Sequence, residues 1–285
     1  MTARTLASLE RRVEALFACP ARAKAPRDAA KTIRELLAVL ESGAVRAAAR
    51  GADGTWRAVP WVKRGILAAF RFGKSVGFSR RGSAFSFVDK DTIPPQRFAP
   101  ARGVRIVPGG STIRRGAFVG AGVVCMPPMF VNVGAYVGAG TMVDSHALIG
   151  SCAQVGERCH VSAAAQIGGV LEPVNASPVV IEDDVLVGGN CGVYEGTVVR
   201  ATAVLAAGVV LTRGTPVYDL VRAQVYRAGA ERPLDIPAGA VVVPGARAVK
   251  GGWGAAQGLA LQTPVIVKYR DEKTDLATAL EDWLR

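Results

Sequence analysis

The sequence has 285 residues, is 50% hydrophobic and 20% charged, and carries a formal net charge of +12. That balance supplies a substantial core and excludes a disordered chain, while the lack of any run of about 18 uncharged apolar residues excludes a membrane-spanning helix. The arginines and lysines are scattered and aromatics make up only 6% of residues, so neither a nucleic-acid nor a membrane partner is expected, and anionic small molecules account for the basic excess equally well.

Met1 to Ala18 mixes charge with apolar positions and lacks the regions of a signal peptide, so a cytoplasmic location is expected. Residues 1 to about 70 read as helical. Leu6, Leu9, Val13 and Leu16 share one face; Ile33, Leu36, Leu37 and Leu40 form a second stripe, with Asp28 as its N-cap and Ser42-Gly43 as its stop. Val62, Ile66, Leu67 and Phe70 predict a third helix, and the helical domain is placed at 1–100.

From Val107 the chain counts in sixes: Val107, Ile113, Val119, Cys125, Val131, Val137, Val143, Ile149, Val155, Val161 and Ile167, then in a shifted phase Ile181, Val187, Val193, Val199, Leu205, Leu211 and Val217. Neither an α-helix nor a period-two strand places one residue class at every sixth position over such a length; a parallel β-helix does. Each hexad gives a short strand and a corner, three hexads give a triangular coil, and coils stack at about 4.8 Å. Glycine often follows the inward residue (Gly120, Gly138, Gly150, Gly156, Gly168, Gly188), where a corner needs positive φ or close backbone approach. The phase break at Gly168 to Pro178, with two prolines, predicts an excursion from the coil.

The fold class is therefore mainly β, a parallel β-helix over 101–247 behind the helical domain, with a small C-terminal β segment at 248–285. Ile236 to Gly239 and Val242 read as a last coil, Gly251, Gly252 and Gly254 as a link, Thr263 to Tyr269 as a strand, and Asp275 to Arg285 as a short helix. Cys19, Cys125, Cys152, Cys159 and Cys191 are odd in number and lack CxxC spacing, which predicts reduced, buried thiols. A three-histidine zinc site is excluded by there being two histidines, His146 and His160, read as groove or packing residues.

The strings between the inward positions carry more than the period. Val104-Arg105-Ile106-Val107-Pro108, Phe130 to Val137, Gly140-Thr141-Met142-Val143-Asp144-Ser145, Gly150 to Gly156 and Ile167 to Pro173 resemble the tetrahydrodipicolinate N-succinyltransferases, as do Leu40 to Arg46 and Trp61-Val62-Lys63-Arg64. The resemblance covers nearly the whole chain. It implies a left-handed β-helix in a homotrimer with active sites between subunits, no permanently bound cofactor and no metal. Succinyl-CoA is then the co-substrate and the cyclic imine dicarboxylate, hydrated and ring-opened to an amine, the acceptor.

Acyl transfer to an amine needs the amine deprotonated, the oxyanion stabilised and both substrates aligned. Asp144, just after inward Val143, is placed to leave the core, and the resemblance makes it the catalytic, acceptor-contacting carboxylate. It likewise makes Arg105 the substrate-binding arginine, a role that suits a planar guanidinium. One departure stands out: a branch of the family carries a second catalytic glutamate where this chain has Gly192. Glu195 is the nearest replacement, with Gly188, Gly189 and Asn190 as backbone donors near the cofactor. Lys250 and Lys268 are candidates for the CoA phosphates. The rival readings are an acetyl-CoA-using relative, a sugar-nucleotide N-acyltransferase and a non-enzymatic scaffold.

Overall fold

Two residues of each hexad form a strand and four turn the corner, because only the inward side chain has a dry place to go. In the computed structural model, which describes residues 2–20, 24–79, 82, 85–230 and 232–271, these strands stack into the three walls of a left-handed parallel β-helix. Val137 pairs in register with Val119 and Val155, one 18-residue coil away on either side. The first wall holds Arg105–Ile106, Val124–Cys125, Met142–Val143, His160–Val161, Leu186–Val187 and Val204–Leu205; the second runs from Thr112–Ile113 to Val210–Leu211 and includes Gln166–Ile167 and Gly192–Val193; the third runs from Phe118–Val119 to Asp235–Ile236. The inward residues from Ile113 to Val242 form one continuous buried cluster.

Cys125, Cys152, Cys159 and Cys191 are buried, and burial pushes the thiols of Cys125, Cys152 and Cys159 up to about 12. Such thiols are inert packing groups.

Three details of the repeat differ from the sequence reading. The inward column opens with Ile106, which pairs with Cys125, and not with Val107; Pro108-Gly109-Gly110 adds one residue to the first hexad. The hexad count stops at Leu211, since Val217–Asp219 leaves its place on the third wall, which Asp235–Ile236 takes beside Val198–Val199. The six glycines after inward residues do not adopt positive φ. They serve close approach: a Cβ on Gly138 would lie 2.5 Å from the carbonyl carbon of Gly156, and one on Gly150 2.2 Å from the Gly169 nitrogen. Positive φ falls two residues later, on Gly122, Gly140, Cys152, Arg158 and Asn190.

The excursion is present. Gln166–Ile167 lies on the second wall and Val180–Ile181 on the third, so residues 168–179 stand where a single corner would.

Helices α1 (Ala3–Ala18), α2 (Ala29–Glu41) and α3 (Pro60–Phe72) bury the expected stripes, including Leu9, Val13, Leu16, Ile33, Leu36, Leu37, Val62 and Ile66. Their core reaches onto the prism through Val133 and Cys152. Asp28 occupies the N-cap position of α2 but its side chain makes no capping bond, its backbone being already helical at φ −93° and ψ −1°. Gly43 ends α2 at φ +73°. The helical reading missed a two-stranded hairpin, Ala48–Arg50 with Trp56–Ala58, which lacks periodicity because each strand has only three residues.

Beyond the last coil, Ala240–Ala248 and Ala260–Tyr269 pair as a long antiparallel hairpin continuing the first wall. The Gly-rich link contains the short helix Gly252–Ala256. The segment Asp275 to Arg285 lies outside the described residues.

The hairpin Ala48–Ala58 seals the helices to the prism through charge. Arg46 stacks on the Tyr136 ring at 3.7 Å and donates from Nε to Gln154 Oε1 at 2.8 Å, a buried amide. Glu182 accepts from Trp56 Nε1 at 2.9 Å, Arg200 at 3.1 Å and the Ala201 amide at 3.1 Å. Burial alone would push its carboxyl up; these donors, with Arg50, outweigh burial and hold it below the ordinary glutamate value. A depressed folded pKa means stability that is present above the unfolded value of about 4.3 and is lost as pH falls through the folded one. Glu182→Gln is therefore expected to unfold more easily at pH 7 and to lose less additional stability than the parent below about pH 4.5, as read by urea denaturation across that range.

Candidate active site

Three residues after each first-wall strand form one edge of the prism, and the expected catalytic residue stands on it. Asp144 follows Met142–Val143, and its side chain is 31% exposed and turned outward from the core. Oδ1 accepts from the Ser145 amide at 2.7 Å, which fixes the carboxylate, and Oδ2 lies 3.9 Å from His160 Nε2. His160 sits on the outward side of the next coil, paired with Met142. Arg105 is exposed on the outward column of the same wall, with only Val124–Cys125 between its strand and that of Asp144. Two strand spacings put those strands about 10 Å apart, a span that an extended dicarboxylate bridges.

Gly188, Gly189 and Asn190 form the same edge two coils further on. The Gly188 amide is committed to Leu205 O at 2.8 Å and the Asn190 amide to Ala163 O at 3.0 Å. Those two N–H groups hold coils together, leaving Gly189 as the one of the three without a backbone carbonyl partner among the described residues.

Glu195 is not beside Asp144. It lies at φ +54° on the next edge, between the second and third walls, where Oε2 accepts from the Arg213 amide at 2.7 Å. Within one chain the full width of the second wall separates the two carboxylates. Around Glu195 the excursion closes a groove of about 950 Å³, lined by Gly168, Glu172, Ser177, Tyr194, Glu195 and Arg213 among others.

The floor of that groove explains Gly192. Gly192 occupies an outward position of the second wall beside Gln166 and Val210. A Cβ there would lie 2.5 Å from Tyr194 Cε2 and 2.9 Å from the Tyr194 hydroxyl, and one on Gly168 would lie 2.8 Å from Tyr194 Cδ1. The Tyr194 ring thus lies across two glycines and fills the space a side chain at 192 would need.

Lys250 and Lys268 are not brought together. Lys268 lies opposite Val241 near the prism, 3.2 Å from Asp271 Oδ1, whereas Lys250 follows Ala248 at the far end of the hairpin. At about 3.3 Å per residue they are more than 20 Å apart, so a single phosphate cannot bridge them.

His160, expected as a groove or packing residue, stands beside Asp144, one coil after Met142. Tyr194 is the site residue that the sequence reading passed over; its place two residues after Gly192, just past inward Val193, is the only signal for it.

A stacked prism of hexapeptide coils with a carboxylate fixed on one outer edge defines a hexapeptide-repeat acyltransferase. Residues 8–72 match the model of the tetrahydrodipicolinate N-succinyltransferase N-terminal region, and residues 178–213 that of the hexapeptide repeat of succinyl-transferase. Proteins named 2,3,4,5-tetrahydropyridine-2,6-dicarboxylate N-succinyltransferase are similar along most of the chain. The one from Rhodopseudomonas palustris is 39% identical over 89% of both chains, that from Nitrobacter hamburgensis 38% over 99% of both, and that from an Acidovorax species 40% over 92% of this chain and 91% of its own. The chain belongs to the tetrahydrodipicolinate N-succinyltransferase family. A Campylobacter jejuni structure assigned as a 2,3,4,5-tetrahydropyridine-2-carboxylate N-succinyltransferase shares the fold, with a TM-score of 0.51 at 20% identity over 83% of this chain and 62% of that one.

Proposed function

We propose that the protein moves a succinyl group from succinyl-CoA to the amine of ring-opened tetrahydrodipicolinate, in the diaminopimelate route to lysine. The observation that carries this reading is an outward, hydrogen-bonded Asp144 on the edge of the prism in a chain so similar to the named succinyltransferases. In the proposed step the amine nitrogen attacks the thioester carbonyl carbon, Asp144 takes the amine proton, and the CoA thiolate leaves with the C–S bond pair. Arg105 holds an acceptor carboxylate. Gly189 offers a backbone donor near the cofactor, and Lys268 or Lys250 reaches a CoA phosphate.

Asp144 and Glu195 can act in one site only if they come from different copies, because they lie on different edges. A homotrimer that sets the Asp144 edge of one subunit against the Glu195 groove of the next satisfies this, and flat-sided prisms suit closed cyclic packing. Among the described residues no helix is long and apolar enough to cross a membrane, and a cytoplasmic site fits the proposed substrates.

The test is CoA release followed with a thiol reagent. Release that requires both succinyl-CoA and tetrahydrodipicolinate, or 2-aminopimelate as its open-chain analogue, is the expected result. Preference for acetyl-CoA, or turnover only with an amino sugar, would replace this reading with one of its rivals.

A further inference from the structure

Lys63 is the anomaly of the helical layer. It lies on α3 with 0% exposure, and no carboxylate pairs with it among the described residues. A buried ammonium is costly unless its protons are satisfied, and here Nζ donates to Ala176 O at 2.5 Å and to Pro173 O at 3.4 Å. Both carbonyls belong to the excursion that walls the groove containing Tyr194, Glu195 and Arg213. Burial pushes the Lys63 pKa down, with the Cys152 thiol beside it opposing weakly.

The other ties of the excursion are weaker or lie nearer its ends. Val170 N donates to Ser151 O at 3.1 Å, Ser177 Oγ donates to Trp56 O at 3.3 Å, and Leu171 packs against the helical core. Between Leu171 and Ser177 the backbone is held, among the described residues, by the ammonium and by one internal turn, Ala176 N to Pro173 O at 3.0 Å.

We propose that Lys63 is a positioning residue for the reaction: its buried ammonium clamps the Pro173 and Ala176 carbonyls and so sets the excursion wall of the substrate groove from the helical layer behind it. The role in substrate binding rests on the function proposed above; the clamp itself does not. An isosteric but uncharged side chain takes the ammonium from Ala176 O and leaves Pro173 O with the Ala176 amide alone, and the wall opens locally while the prism stays folded.

Lys63→Met in the full chain tests this by amide hydrogen exchange and steady-state kinetics side by side. Protection of amides within 168–178 is expected to fall roughly ten- to hundredfold, as the loss of one charged hydrogen-bonding group implies, while that of Leu148–Ile149 is unchanged. The KM for the substrate seated in the groove should rise about tenfold with kcat changed far less, since a displaced wall costs binding without removing a reacting group. Lys63→Gln, which keeps a neutral donor, should recover part of both losses, and it decides the matter if the methionine variant does not fold. Unchanged protection of 168–178 overturns the clamp. Lost protection with unchanged KM overturns its role in the groove. If the parent protein transfers no succinyl group, the functional reading fails by itself and the exchange experiment still judges the clamp.

Discussion

Asp144→Ala is expected to lower kcat by about 10² to 10⁴ while leaving the protein as stable as its parent, the range that loss of a positioned general base produces. The carboxylate is on the outside of the prism and its recorded partners are the neighbouring Ser145 amide and His160 at 3.9 Å, so alanine opens no cavity and strands no buried charge. The stability cost should stay within about 1 kcal/mol, as for surface substitutions generally. Asp144→Asn keeps the contact with Ser145 but cannot take a proton, and should lose nearly as much rate. His160→Gln, which removes a neighbour and not the base, should lose less than Asp144→Asn. The measurements are acceptor-dependent CoA release and urea unfolding on the same preparations. Full activity in Asp144→Ala would remove the residue from the chemistry and the proposed mechanism with it.

Gly192→Glu alone is expected to destabilise the protein and to lower activity, even though it restores the residue found in a branch of the family. The cause is steric. A Cβ at 192 would sit 2.5 Å from the Tyr194 ring, and the ring must leave its bed on Gly168 and Gly192 before any side chain can enter. Overpacking of this kind costs about 1 to 3 kcal/mol, which in a protein of this size lowers Tm by about 2–4 °C per kcal/mol. Tyr194→Val in the same chain removes the obstruction, so Gly192→Glu/Tyr194→Val should be more stable and more active than Gly192→Glu. The expected coupling between the two positions is about 0.5 to 3 kcal/mol, the range for residues in contact. Additive effects in this double-mutant cycle would show that Tyr194 does not occupy the place of the missing side chain. Tyr194 also bears on how the groove was built: a flat aromatic ring on two glycines lines it where a branch of the family carries a glutamate side chain.

The two expectations have different origins in the chain. Asp144 could be placed from the sequence because its neighbour Val143 belongs to a series whose spacing leaves no freedom: if Val143 points in, a residue at the following corner points out. The same alternation puts Gly192, just before inward Val193, on the outward side of its strand, which the structure shows. It did not place Tyr194 over Gly192, since a corner side chain can turn either way and only its neighbours decide. Nor did it show that the amides of Gly188 and Asn190 are spent on Leu205 and Ala163, 17 and 27 residues away, because hydrogen bonds between coils join residues a full coil or more apart.

Lys63 shows a similar limit. It falls on the apolar face of α3 next to Val62 and Ile66, where a sequence reading counts an interruption in a stripe. What satisfies its ammonium lies 110 and 113 residues away. The Glu182 seam is of the same kind, joining a short hairpin to corners of the third wall through Trp56 and Arg200.

The sequence by itself determined the prism, its three-sided coil, its excursion and the outward position of Asp144, because a strict six-residue period of aliphatic side chains has one economical way to exclude water and repeats the same local choice at each turn. The tertiary structure alone decided which edges the two candidate carboxylates occupy, that Tyr194 lies where a second one would stand, and that a buried lysine from the helical layer holds the groove's wall. Those facts depend on contacts between segments far apart in the chain, and no local spacing encodes such contacts.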